Sequence, residues 1–139
     1  MIYKRISQLA NMQRRLIDKL ARGKQYSGTE EKLIHYLFEN SGTPTYQKNI
    51  ETVFGLRAAT ATQVLDSLEK MDLIKRVPSK EDRRLKEIIL TKKADSLRQE
   101  VFHDIDMLES RIISGIPDEQ LQLWREVTER MIRNLNEDC

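Results

Sequence analysis

The chain has 139 residues, 39% apolar and 33% charged, with five glycines, three prolines and one cysteine. That balance excludes collagen-like and low-complexity classes, and its apolar share is too large for a wholly disordered chain. No run approaches the roughly 18 apolar residues of a membrane span, no secretory h-region follows Met1, and the single Cys139 rules out a disulfide framework or a cysteine zinc site within one chain. The expectation is one soluble cytoplasmic domain.

Charge is distributed unevenly. Residues 1–25 carry seven basic and one acidic residue, residues 26–56 two and four, residues 57–93 ten and six, and residues 94–139 five and eleven. A basic middle beside an acidic C-terminal third would let one surface meet a polyanion while another avoids it, although solvated helix faces would produce the same tally.

Ile2, Ile6, Leu9, Leu16 and Leu20 recur at helical spacing and predict a first helix over 2–22, interrupted in its stripe only by Gln13. Ser27-Gly28-Thr29-Glu30 fits a capping box, opening a helix that carries Leu33, Ile34, Leu37 and Phe38 and stops at Asn40-Ser41-Gly42. Glu30 and Glu31 read as first-turn charges suited to a helix N-terminus. Thr43-Pro44-Thr45 is expected to start a short third helix ending at Gly55. A fourth follows at once, with Ala61, Val64, Leu65, Leu68 and Met71 on one face. Leu73–Val77 and Lys86–Leu90 read as two short strands joined by a polar tip, and Thr91 as the cap of a helix through Ile112. Gly115-Ile116-Pro117 separates it from a last helix bearing Leu121, Trp124, Val127, Met131 and Leu135. The order is α-α-α-α-β-β-α-α: mainly α with a small β-hairpin wing, a winged helix-turn-helix. Domain 1–139 is single, with a reading lobe at 27–91 and terminal helices, 1–24 and 92–139, forming a dimerisation region.

With Ala61, Leu65 and Leu68 facing the core, the fourth helix points Ala59, Gln63 and Lys70 outward and sets Thr60 and Thr62 on its flanks. Such a surface suits the roughly 12 Å major groove, and Gln63 suits adenine. An ordinary solvated helix would be richer in Glu and Lys. The hairpin tip gathers Lys80, Arg83, Arg84 and Lys86, with Asp82 placed to orient a guanidinium; an arginine on a thin ribbon can enter the minor groove.

Leu56 through Thr91 resembles the DNA-binding core of the MarR family of multiple-antibiotic-resistance regulators. Leu65–Arg76 is similar to the family's recognition-helix end and first wing strand, and Asp82-Arg83-Arg84 followed by Ile88-Ile89-Leu90-Thr91 to its wing signature. The resemblance implies a homodimer with interlocked terminal helices, a site on double-stranded DNA, Arg57, Ala59, Thr60, Thr62 and Gln63 in the major groove, and Arg84 in the minor groove. Asp72 stands where the family usually has glycine, at a position expected to need positive φ.

Family members often bind small lipophilic or phenolic anions in a crevice, for which Met12, Leu16, His35 and Phe38 are the candidates here; helical apolar residues of this kind also serve as plain core. No cofactor and no metal are expected: His35 and His103 are the only histidines, and Cys139 is poorly placed as a redox switch. No phosphate loop, nucleophile elbow or zinc-protease motif is present, so the chain reads as a regulator rather than an enzyme. The function expected is a ligand-responsive repressor that occludes a promoter from a pseudo-palindromic operator. The alternative is a winged-helix protein–protein adaptor, which would have no physical need for the arginine-bearing wing.

Overall fold

The computed structural model describes residues 1–136; Cys139 lies outside them. Residues Met1–Leu108 form one compact unit and the chain from Glu109 onward a second. Seven helices and one hairpin occur among the described residues: α1 Ile2–Leu20, α2 Gly28–Glu39, α3 Gln47–Phe54, α4 Ala58–Lys70, β1 Ile74–Pro78, β2 Lys86–Leu90, α5 Lys92–Asp95, α6 Arg98–Ile113 and α7 Asp118–Asn136.

The capping box at Ser27 forms as expected. The Glu30 N–H donates to Ser27 Oγ at 3.2 Å and the Ser27 N–H to Glu30 Oε1 at 2.8 Å, satisfying two donors that the first helical turn leaves unpaired. Gly28 permits a close approach of α2 to α1, because a Cβ there would lie 2.7 Å from Ile17 Cγ2. Gly55 takes the left-handed conformation (φ 63°) that closes α3 and lets α4 start immediately. Asp72 adopts φ 59°, the one positive φ at a non-glycine residue among those described.

Besides shifts of one or two residues at the ends of α1 and β1, two departures from the sequence reading have a clear physical cause. The third helix begins at Gln47 rather than near Pro44, because Thr45 and Tyr46 are drawn into extended pairing with β2. The Ile88 N–H donates to Thr45 O at 2.8 Å, and Tyr46 forms a bridge with Glu87. The Tyr46 N–H then donates to Asn49 Oδ1, capping α3. The helix expected from Thr91 to Ile112 is broken at Ser96 and Leu97: the Ser96 hydroxyl bonds the Lys93 carbonyl, competing with helical pairing. Thr91 does cap the first piece.

The hairpin is antiparallel, with Ile74 opposite Leu90 and Arg76 opposite Ile88. The main core of the first unit joins Leu33, Ile34, Leu37 and Phe38 of α2 to Ile50, Leu65, Leu68, Leu73, Ile74 and Val101. A smaller cluster packs Ile17 of α1 on Ile105 and Leu108 of α6. In the second unit α7 is amphipathic and fully surface-lying, leaving Leu123, Trp124, Val127 and Leu135 exposed.

Candidate nucleic-acid interface

Helix α4 starts at Arg57, an extended residue whose side chain makes no cap hydrogen bond. Arg57, Ala59, Thr60, Thr62 and Gln63 are all exposed, and no acidic residue occupies the first turn. The positive end of the helix dipole therefore opens onto a first turn of small and hydrogen-bonding side chains without an acid of its own, an electrostatic setting that favours an anion.

Thr62 is already engaged. Its hydroxyl donates to Ala58 O at 2.9 Å and accepts from Gln47 Nε2 at 3.0 Å, while the same Gln47 amide approaches Ala58 O at 3.3 Å. Gln47 therefore fastens the start of α3 to the first turn of α4, and Thr62 serves as much to seat the helix as to present a hydroxyl. Gln63 has no such partner.

The wing is built on a buried anchor. Ser79 lies at the base of the tip, where its N–H donates to Leu85 O at 2.8 Å and its hydroxyl meets Tyr46 Oη at 3.0 Å. Beyond it, Asp82 accepts from the Arg84 N–H, Nε and Nη2 at 3.0–3.1 Å. These bonds hold the Asp82 carboxyl below the usual carboxylate range. The Arg84 side chain is nonetheless 89% exposed: the aspartate orients the guanidinium without burying it. Lys80, Arg83 and Lys86 are exposed and have no carboxylate partner among the described residues.

Wing and helix are tied by Arg76 of β1. Its Nη2 donates to Asp66 at 2.6 Å and to Glu69 at 2.8 Å, and Arg76 pulls the Glu69 carboxyl below its ordinary range. Asp66 and Glu69 are the two acids of α4, so one arginine engages both and offsets one of their two charges beside the exposed basic tip. Gln47 and Arg76 escaped the sequence pattern. The acids three residues apart on α4, followed by a basic strand residue, were the available signal for the second.

Of the four crevice candidates, Met12 and Leu16 lie on α1 and His35 and Phe38 on α2. Met12 is exposed on α1, and Leu16 packs on the Ile17–Ile105–Leu108 cluster. His35 and Phe38 both pack on Phe102, with ring centroids 4.8 and 6.0 Å apart. A cavity of about 330 Å³ lies between the end of α2, the 40–45 loop, β2 and Arg98, and touches only Phe38 of the four. Glu31 stands in the first turn of α2, as expected, and is fully buried there.

The sequence model of the MarR family matches residues 36–86, from the middle of α2 to the first residue of β2. The transcription regulator MarR from Oenococcus oeni PSU-1 superposes with a TM-score of 0.86 at 28% identity, covering 96% of this chain and 99% of that one. Residues 36–86 thus match the MarR family, and the whole chain shares the fold of a MarR transcription regulator. Two more distant structures share the fold. The S. aureus MepR–DNA complex has a TM-score of 0.84 at 18% identity, with 98% and 99% of the two chains covered. CouR from Rhodococcus jostii RHA1, bound to p-coumaroyl-CoA, has a TM-score of 0.82 at 21% identity, with 94% and 91% covered. The MarR fold and family are those of transcription regulators, and no helix among the described residues is long and apolar enough to cross a membrane.

Proposed function

We propose that this chain is a MarR-family regulator, a sequence-specific repressor that binds a pseudo-palindromic operator in double-stranded DNA as a homodimer in the cytoplasm. The observation that carries the reading is the pairing, through Arg76, of an acid-free helix start on α4 with an exposed wing whose Arg84 is aimed by Asp82. In this reading Ala59, Thr60 and Gln63 face base edges in the major groove and Arg57 lies beside the phosphates. Arg84, with Arg83, enters the minor groove, while Lys80 and Lys86 flank the backbone. The fold shared with DNA-bound MepR supports it.

Exposed apolar side chains support the dimer. Ile2, Tyr3, Ile6 and Leu9 of α1 are 48–61% exposed, and Trp124 and Leu135 of α7 are 57% and 76% exposed. Covering such faces with a second copy gains about 25 cal/mol for each Å² of apolar surface removed from water. A dimer also presents two reading helices to half-sites roughly 34 Å apart. The effector is a small lipophilic or phenolic anion held near Met12, Leu16, His35 and Phe38, a reading supported by CouR's occupation by p-coumaroyl-CoA. Its binding would release the promoter that the dimer occludes.

The test is fluorescence anisotropy of the purified chain on its own upstream duplex and on a scrambled duplex, each at two salt concentrations. Tight binding of two protomers to the first, with weak and salt-steep binding to the second, is the expected result. Equal weak binding to both, persisting across a genome-derived library, would leave the winged helix to an adaptor role.

A further inference from the structure

Glu31 on α2 is fully buried, and among the described residues neither of its carboxylate oxygens accepts a hydrogen bond. The charged and titratable groups that face it come from two other elements. The segment after α1 brings Lys24 and Tyr26; α6 brings Glu100 and Asp104. Lys24 Nζ stands 4.0 Å from Glu31 and 3.7 Å from Glu100, and pairs most closely with Asp104, which is itself buried. Tyr26 donates to Glu100 at 3.5 Å. The α1 charges that face α2, Arg14 and Asp18, act on Lys32 instead, and Glu30 turns away to Ser27 and Ser67.

Three carboxyl groups thus share one ammonium. A fully ionised set leaves two negative charges uncompensated in all, with the Glu31 carboxylate cut off from water, a costly arrangement. One proton relieves it, since a neutral Glu31 loses its repulsion toward Asp104 and gains an O–H to offer it. Burial, and after it the neighbouring Asp104 carboxylate, push the Glu31 pKa up to about 8, against the opposing pull of Lys24 and Tyr26.

We propose that Glu31 is a proton-operated latch between α2 and α6: protonated, it lets Lys24, Glu100 and Asp104 close over it, and ionised, it drives α6 off the winged-helix core. Ile105 and Leu108, which pack on Ile17 of α1, follow α6 when it loosens. The proposal does not depend on any DNA being bound.

The direction of the pH effect is fixed by linkage. The unfolded chain releases the Glu31 proton near pH 4.5 and the folded chain near pH 8. The folded state therefore holds the extra proton between those limits. Its stability falls as pH rises through that window and levels off above it, where the ionised latch predominates.

Two measurements on the full chain test this: the carboxyl ¹³C titration of Glu31, and hydrogen exchange of segment 98–108 at about pH 7 and about pH 9, corrected for intrinsic rates, in wild type and Glu31→Gln. The latch requires a Glu31 midpoint near 8. It also requires a loss of protection on the order of tenfold at the higher pH in wild type that is absent from Glu31→Gln. Titration of Glu31 alongside ordinary glutamates, or equal behaviour of the two proteins, overturns it. If the variant does not fold, the wild-type titration and exchange still decide.

Discussion

Arg76 on β1 donates to Asp66 on α4 at 2.6 Å, joining the wing to the helix proposed to read DNA across ten residues of sequence. The contact has a positional consequence larger than its energetic one. Both acceptor side chains are about half exposed, so water screens the charge interaction and stability depends on it little. The mutual placement of wing and helix depends on it more, because each must meet its own groove at the same time. Arg76→Ala is expected to leave the thermal midpoint nearly unchanged while weakening operator binding on the order of tenfold. Thermal melts and anisotropy on one preparation separate the two effects.

The wing makes a sharper prediction through Asp82 and Arg84. Two hydrogen bonds from Nε and Nη2 hold the guanidinium on the aspartate while leaving it open to solvent, and a third comes from the Arg84 backbone N–H. Arg84→Ala is expected to weaken operator affinity on the order of tenfold or more and to reduce the salt slope by about one, with the dimer intact. Asp82→Asn keeps the charge and loosens its aim, so it should cost less affinity than Arg84→Ala. An Asp82 variant as impaired as the arginine variant would mean that the loop's shape, rather than the guanidinium, makes the contact.

Gln63 and Thr62 are neighbours with different roles. Thr62 is bound to Ala58 and Gln47, whereas Gln63 is exposed and has no side-chain partner among the described residues. Gln63→Ala is expected to relax base preference at one position in each half-site by about 1–3 kcal/mol while leaving binding to random duplex unchanged. Thr62→Ala should instead weaken all duplexes together, since it loosens the seat of α4. Affinity measurements across a single-substitution operator panel distinguish these patterns; equal loss on operator and random DNA for Gln63→Ala would remove it as a base reader.

Local chemistry explains which features were legible in the sequence. The Ser27–Glu30 box, the left-handed Gly55 and Asp72, the wing strands and the apolar faces of α2 and α4 each follow from residues within a few positions of one another, where periodicity and capping operate. Thr45 departs from the reading because a distant partner decides it, Ser96 because its hydroxyl takes the Lys93 carbonyl, and the burial of Glu31 is not visible in its neighbours. Thr45 is extended because β2 offers it a ladder bond, and Ser96 breaks a helix whose spacing otherwise continues. Glu31 is buried because α6 folds across it. The same holds in the candidate site. The exposed face of α4 and the charged wing tip are visible as composition, but Gln47 and Arg76 become meaningful only when α3 and β1 are brought against α4.

Asp72 offers a test of conformation alone. It sits between α4 and β1 at φ 59°, its N–H bonded to Glu69 O at 3.0 Å and its carbonyl accepting from the Thr91 hydroxyl. Neither bond uses the side chain, which is exposed. An L-residue held in the left-handed region carries a strain of about 1–2 kcal/mol, less for aspartate than for most. Glycine removes that strain but loses about 0.5–1 kcal/mol through the greater freedom of its unfolded chain. Asp72→Gly is therefore expected to stabilise the fold slightly, by about 0.5 kcal/mol, and Asp72→Val to destabilise it by well over 1 kcal/mol, because a β-branched side chain fits this region worst. Urea titrations of the three proteins give the order directly. A valine variant as stable as wild type would show that the turn relaxes out of the left-handed region and that the residue there is free to vary.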